Sequence, residues 1–231
     1  MSTGRLLDRL ATGGFALSAA TLASNLLTFR HPRGTLPAPA PFVSVLVPAR
    51  NEALNIQRCV RSLLAQDYPA FEVVVLDDGS SDGTHALVAA LQRDAPDALR
   101  LREGQPLPAG WSGKNWACHQ LAAQAGPRSR WPLFCDADTI HAPGALRRAV
   151  ADAERDRLAL LSLMPRQLLG GTVEAWLVSL LPLQILGFLP LWLAERYPHP
   201  ELAAANGQYV LVRVDLYTKS GGHAADPSHL V

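Results

Sequence analysis

The sequence predicts an α/β fold: a mostly parallel sheet flanked by helices, with an N-terminal apolar helix and a C-terminal hydrophobic interfacial or membrane region. Three observations predict it. First, two apolar runs end on carboxylates, Phe71-Glu72-Val73-Val74-Val75-Leu76-Asp77-Asp78 and Trp131-Pro132-Leu133-Phe134-Cys135-Asp136-Ala137-Asp138. Such a run reads as a strand buried on both faces, as parallel sheets require, whose carboxyl end opens into a ligand crevice. Second, strand-like and helix-like segments alternate, the pattern of strands joined by right-handed helical crossovers. Third, two long uncharged apolar stretches lie outside that alternation.

The first of these stretches is Leu10 to Phe29, long enough to span a bilayer as a helix, although diluted by Thr, Ser, Gly and Asn. It lacks a good small-residue cleavage site, so residues 1–30 read as a retained anchor rather than a removed signal. Arg5 and Arg9 precede it and Arg30 and Arg33 follow, so flanking charge does not set its orientation. A Pro-rich linker over residues 31–41 leads to a folded domain, 42–231. That domain opens with strand 42–47, halted by Pro48. A helix is expected from Glu52 to Gln66, with Leu54, Cys59, Leu63 and Leu64 at helical spacing. Strand 71–77 follows, then a Gly/Ser turn, a helix over 84–93 and a short strand over 98–102. After the loop 105–110 come a helix over 114–125, strand 132–136 and a helix starting at Pro143, where proline is tolerated. Strand 158–163 precedes the second apolar stretch, 175–194. Pro182 and Pro190 argue that this stretch is a broken or interfacial element rather than a straight span. A last strand covers 208–214.

Composition narrows the partners. A formal charge of +1 over 231 residues, with no Lys/Arg block, excludes a nucleic-acid footprint. Hydrophobic residues make up 48% and the mean hydropathy is +0.08, high for a freely soluble enzyme and in keeping with membrane contact. Cys59, Cys118 and Cys135 have no metal or disulfide spacing and read as buried, reduced thiols of a cytosol-facing protein.

The chemistry concentrates where the strands end. In Asp77-Asp78-Gly79-Ser80-Ser81-Asp82-Gly83-Thr84 the glycines let the backbone turn sharply, and Asp82 or Ser81 suits a helix N-cap. Asp77 or Asp78, at the strand tip, is placed to accept from a base N–H or a sugar hydroxyl. Asp136 and Asp138 alternate with Ala137 and can share a face; their hard oxygens suit Mg2+ or Mn2+ bridging to a diphosphate. Lys114 opens a predicted helix, where a cation is unfavourable unless it faces an anion, so a phosphate is its expected partner. His119, His141 and His223 show no ligand spacing and read as surface or structural residues.

Taken in order, Val43-Ser44-Val45-Leu46-Val47-Pro48-Ala49-Arg50-Asn51-Glu52, the Asp77–Thr84 turn and Asp136-Ala137-Asp138 resemble the successive signatures of family 2 glycosyltransferases. The run Leu107 to Lys114, with Asn206-Gly207-Gln208 and Gly221-Gly222-His223, is similar to membrane-associated members, the hopanoid-associated and carotenoid glycosyltransferases. The resemblance implies a GT-A (Rossmann-like) fold and inverting transfer of a sugar from a nucleotide diphosphate, a UDP-sugar, to a lipid or membrane-embedded acceptor. It implies that Pro48, Ala49 and Glu52 line the nucleobase pocket, that Asp78 reaches the uracil, and that Asp136 reaches the ribose and diphosphate. Asp138, aided by Asp136, would hold Mg2+ or Mn2+, with Lys114 near the donor. The implied location is the cell membrane, with the catalytic domain facing the cytoplasm.

Related enzymes carry an acidic pair about a dozen residues past the Gly-Gly that serves as general base. Here Asp226 comes too early, Pro227 interrupts, and the base is expected beyond Val231, so the domain reads as incomplete at its acceptor end. Two alternatives follow: an inactive donor-binding module, and a sugar-phosphate nucleotidyltransferase. The latter is disfavoured because Pro-Ala-Arg-Asn-Glu stands where a Gly-rich basic loop belongs.

Overall fold

The structure, a computed structural model, describes residues 3–28, 34–197, 199 and 205–228. Residues 29–33, at the junction of the apolar stretch and the linker, and the tail residues His229, Leu230 and Val231 lie outside the described residues. The chain divides into two compact units, one formed by Pro32–Pro165 with Ala205–Val231 and the other by Met1–His31 with Arg166–Ala204.

The larger unit is built on a six-stranded sheet. Its elements are β1 (Val43–Ala49), α2 (Ile56–Leu64), β2 (Phe71–Asp77), α3 (Thr84–Asp94), β3 (Leu99–Glu103), α4 (Gly113–Gln124), β4 (Trp131–Cys135), α5 (Ala145–Arg155), β5 (Leu160–Ser162), β6 (Tyr209–Val212) and α8 (Val214–Lys219). The strand order is β3-β2-β1-β4-β6-β5. The strands β3, β2, β1 and β4 run parallel, while β6 is antiparallel to both β4 and β5. The chain therefore winds outward from β1 to β3 and returns to the other side of β1 at β4. That reversal makes the gap beyond the carboxyl ends of β1 and β4 a topological switch point, where α/β sheets open a crevice.

Alternation along β1 assigns the two faces. Val43, Val45, Val47 and Ala49 pack with Ile56, Cys59, Val60 and Leu63 of α2 and with Leu146, Ala149 and Val150 of α5. Leu46 instead joins Ala117, Cys118 and Leu121 of α4. All three cysteines are buried free thiols, and burial pushes those of Cys59 and Cys118 up to about 12.

Several expected elements differ, beginning with β1, which is not halted by Pro48 but stays paired with β2 through Pro48 to Ala49. The helix expected from Glu52 begins at Ile56, because the Glu52 carbonyl accepts from the Asn55 and Ile56 amides and closes a turn first. Leu54 consequently lies before the helix and is 91% exposed, rather than on its apolar face. The helix after Pro143 begins two residues later, at Ala145 with Gly144 as its N-cap, and the last two strands shorten to 160–162 and 209–212.

The smaller unit contains α1 (Thr3–Thr28), α6 (Thr172–Phe188) and α7 (Leu191–Arg196). Within α1, Leu7–Thr28 is long and apolar enough to cross a membrane; its 22 residues rise about 33 Å, against about 30 Å of hydrocarbon. Pro182 lies inside α6, while the chain breaks at Leu189 and Pro190, both extended. One side chain of α1 satisfies that break. The Asn25 amide nitrogen donates to the carbonyls of Leu186 and Leu189, both at 2.7 Å, and its oxygen accepts from the Leu191 amide at 2.9 Å. Asn25 is 2% exposed on a helix that is otherwise largely exposed. About two turns earlier, Ser18 donates to the Gly187 carbonyl, and a Cβ at Gly187 would meet the Ser18 Oγ at 2.9 Å.

Candidate active site

At the carboxyl ends of the parallel strands lies a cleft of about 290 Å³. Pro48, Ala49, Arg50 and Glu52 line it from β1 and its following turn, and Asp78 from the tip of β2. Gly113, Lys114 and Ala117 line it from the start of α4, and Asp136, Ala137 and Asp138 from the turn after β4. The seven residues singled out from the sequence (Pro48, Ala49, Glu52, Asp78, Lys114, Asp136 and Asp138) thus meet around one cavity. Register explains the first grouping: Ala49 pairs with Asp77, so the chain leaves both strands at one level.

Asp77 and Asp78 separate into two tasks. Asp77 is buried and its Oδ1 accepts from the Ser80 amide, shaping the turn. Asp78 points into the cleft beside Gly113, whose missing Cβ would lie 3.8 Å from its Oδ2. The Arg50 guanidinium stands 3.6 Å from that same Oδ2. In the sequence Arg50 is part of the Pro48–Glu52 motif with no role of its own, and its position directly after two cleft-lining residues is the signal for it.

A set of cross-links rigidifies the rim. Gly83 holds a left-handed φ of 94° and caps α3. Asp82 precedes the cap: its Oδ1 accepts from the Thr84 amide and hydroxyl, and its Oδ2 accepts from the Ala53 amide across the gap. The Thr84 hydroxyl and then the Ala53 amide hold the Asp82 carboxyl below its usual range. Thr84 Oγ1 also accepts from the Glu52 amide at 2.8 Å, and Asn51 Oδ1 accepts from the Ser81 amide. The turn after β1 is therefore stapled to the turn after β2.

Asp136 and Asp138 lie just beyond β4, in the turn rather than the strand, and both reach the cleft. Asp138 is exposed. Asp136 is half-buried and pairs with Lys114, Nζ to Oδ1 at 2.7 Å. Its backbone carbonyl is held by the Thr139 hydroxyl at 2.7 Å. Ser112 caps α4 by accepting from the Asn115 amide, which sets Lys114 in the first turn. Among the described residues no group of three or more His, Cys, Asp or Glu side chains converges on one point. A divalent ion here would have two carboxylates, and the remaining positions suit water and phosphate oxygens, as Mg2+ sites commonly do.

The histidines have structural surroundings. His141 hydrogen-bonds the Thr139 hydroxyl and packs on Tyr209, and burial pushes it down to about 4. His223 is also pushed down to about 4, by burial and then by nearby His119 and Lys114. The Tyr217 hydroxyl accepts from the His223 amide and shares a 2.6 Å hydrogen bond with Nδ1, while Phe134 meets the ring edge-on. His119 stacks on Trp116. Asp226 and Pro227 anchor the tail, their carbonyls accepting from the Asn115 side chain and the Ser112 amide.

Residues 44–212 match the model of glycosyl transferase family 2. The chain belongs to this family. Among its relatives, it is 54% identical over 101 residues to the glycosyltransferase AglE of Haloferax volcanii, covering 39% of this chain and 33% of that protein. It is 25% identical over 198 residues to the 4,4'-diaponeurosporenoate glycosyltransferase of Staphylococcus aureus, covering 82% of this chain and 48% of that one. The chain thus spans a third to a half of the length of these relatives. Among solved structures, it superposes on the mannosyltransferase PcManGT of Pyrobaculum calidifontis, in complex with GDP-Man and Mn2+, with a TM-score of 0.63 and 25% identity. That match covers 94% of this chain and 61% of the other, and it carries the GT-A assignment of the sheet.

Proposed function

We propose that this family 2 glycosyltransferase transfers a sugar from a nucleotide diphosphate, a UDP-sugar, to a lipid-like acceptor, with inversion and with a divalent cation. The observation that carries the reading is the cleft at the switch point, where an apolar floor, Asp78, Lys114 and the Asp136/Asp138 pair converge. Pro48, Ala49 and Glu52 form the wall for the base, and Asp78 accepts from its N–H. Asp136 serves the ribose and diphosphate, Asp138 is the main metal ligand with Asp136 beside it, and Lys114 and Arg50 offer positive charge to the diphosphate. When bound, the ion stabilises charge developing on the leaving diphosphate.

Charge supports the metal. The cleft holds four acids (Glu52, Asp78, Asp136, Asp138) and two bases (Arg50, Lys114), a formal −2. A diphosphate carries further negative charge, so a dication is the natural bridge. PcManGT, solved with GDP-Man and Mn2+, supports the same assignment. The apolar surface of α1 and α6 and the diaponeurosporenoate relative support a lipid acceptor. We read residues 1–30 as the anchor, 31–41 as the linker and 42–231 as the transferase domain at the cytoplasmic face of the cell membrane. No described residue is assigned as the base.

Calorimetry tests the reading. UDP-sugar binding is expected to need Mn2+ or Mg2+ and to weaken at least about tenfold in Asp138→Ala, the loss of one charge-assisted metal contact. Binding that ignores both the metal and the substitution would overturn it.

A further inference from the structure

The Lys114–Asp136 pair carries a consequence for the order of binding. Lys114 occupies the first turn of α4, the positive end of the helix dipole, where an ammonium is disfavoured unless it faces negative charge. Asp136 supplies that charge at 2.7 Å, and both side chains line the cleft, about one-third and one-quarter exposed. The other cleft base is held more loosely: Arg50 stands 3.6 Å from Asp78 and is 63% exposed. Asp138, the neighbouring acid, is exposed and has no cation against it among the described pairs. One of the two carboxylates proposed for the metal is therefore already neutralised by the protein's own cation.

We infer that Lys114 acts as a resident counter-ion that blocks Asp136 from a divalent cation until a nucleoside diphosphate draws the ammonium away. This rests on the donor-and-metal reading above and adds to it a mechanism of coupling. A metal ion arriving alone meets an ammonium bonded to the oxygen it needs, and like charges at such a distance repel strongly in a partly desolvated cleft. A diphosphate offers the ammonium a better partner and brings oxygens of its own for the metal. Lys114 would thus move from carboxylate to phosphate and leave the Asp136 carboxylate free to hold a divalent ion. Donor and metal then bind as a unit, and each raises the other's affinity by the same factor. A lysine that only grips the phosphate would leave metal binding without nucleotide untouched. The sign of that one quantity separates the two roles.

The test measures free Mn2+ by electron paramagnetic resonance, and UDP binding by calorimetry, on the full chain in detergent. Wild type is expected to bind Mn2+ weakly alone and at least about tenfold more tightly with saturating UDP. Lys114→Met keeps the stem and removes the charge. It is expected to bind Mn2+ alone about tenfold more tightly than wild type, to bind UDP more weakly, and to lose most of the coupling. Lys114→Arg keeps the charge and should keep the weak binding of Mn2+ alone; adding Asp136→Asn to Lys114→Met should abolish the gain. An unchanged or weaker affinity of Lys114→Met for Mn2+ alone, with wild type still binding UDP and Mn2+ together, overturns the inference and leaves the donor reading standing. Failure of wild type to bind UDP even with Mn2+ overturns both.

Discussion

Replacing Thr84 with valine isolates the staple between the two turns that frame the cleft. Thr84 is fully buried, so a side chain of the same shape keeps its packing and removes only the hydroxyl. That hydroxyl accepts from the Glu52 amide and donates to Asp82. Leaving the Glu52 amide without a partner costs about 1–3 kcal/mol, and the added methyl returns about 0.8 kcal/mol. With about 1 kcal/mol more for the lost hydrogen bond to Asp82, the expected net loss is about 1–3 kcal/mol, which at a urea dependence of about 2 kcal/mol/M lowers the unfolding midpoint by roughly 0.5–1.5 M. Binding should suffer separately. Freeing one or two residues of the Arg50–Ala53 turn means that the donor must order them again, at about 1–2 kcal/mol per residue. Donor Kd should therefore rise at least about fivefold, since 1.4 kcal/mol is a factor of ten. Urea titration followed by far-UV circular dichroism and calorimetry with UDP-sugar read the two effects. Thr84→Ser retains the hydroxyl and should retain the affinity. A Thr84→Val midpoint within about 0.2 M of wild type, with donor Kd within twofold, would refute the reasoning.

Two further predictions concern parts of the chain away from the cleft rim. Asn25→Leu strands two carbonyls and an amide at the α6–α7 break, three hydrogen bonds worth about 1 kcal/mol each. Trypsin cleavage at exposed Arg196 in detergent should accelerate more than about tenfold, and an unchanged rate would contradict the clamp. His141 and His223 titrate near 4 in the folded chain and near 6.5 when unfolded, so between those values the unfolded state binds protons that the folded state refuses. Stability therefore falls as pH drops below about 6.5, by about 2 kcal/mol per histidine at pH 5. The urea midpoint should fall from pH 7 to 5, and His223→Gln should remove about half of the drop; a flat profile refutes it.

What the sequence made legible follows from where its chemistry is local. A buried parallel strand is apolar throughout, so the point where carboxylates begin marks its end, as at Asp77 and Asp136. The parallel register then brings these ends together without further information. Strand direction is not local in this way: β6 reads as apolar as β4, and only the route of the chain makes it antiparallel. The start of α2 was lost for a related reason, since Leu54 matches the helical spacing while the Glu52 carbonyl closes a turn that no periodicity reports. In α1, Ser18 and Asn25 read as polar dilution of a membrane-length helix. They are its contact points with α6 and α7, a use visible only once the partner backbone is known to break.

The two ends of the sheet divide the work. At the amino ends, Glu72 accepts from the Ser44 hydroxyl at 2.6 Å, from the Gly126 amide at 3.0 Å and from Arg100 at 2.7 Å. Both oxygens of that carboxylate are held by donors of this chain, so the cluster reads as support for the fold. At the carboxyl ends the cleft acids outnumber its bases by two, and among the described residues its closest ion pair joins Lys114 and Asp136, for which the proposed diphosphate and dication would be further partners. A site that satisfied itself would have no affinity to offer. With Lys114 on Asp136 and Arg50 beside Asp78, the residual charge rests on Glu52 and Asp138, and under the proposed reading a donor's metal would neutralise it; that is why a strand-associated acid reads as structure at position 72 and as chemistry at 136 and 138.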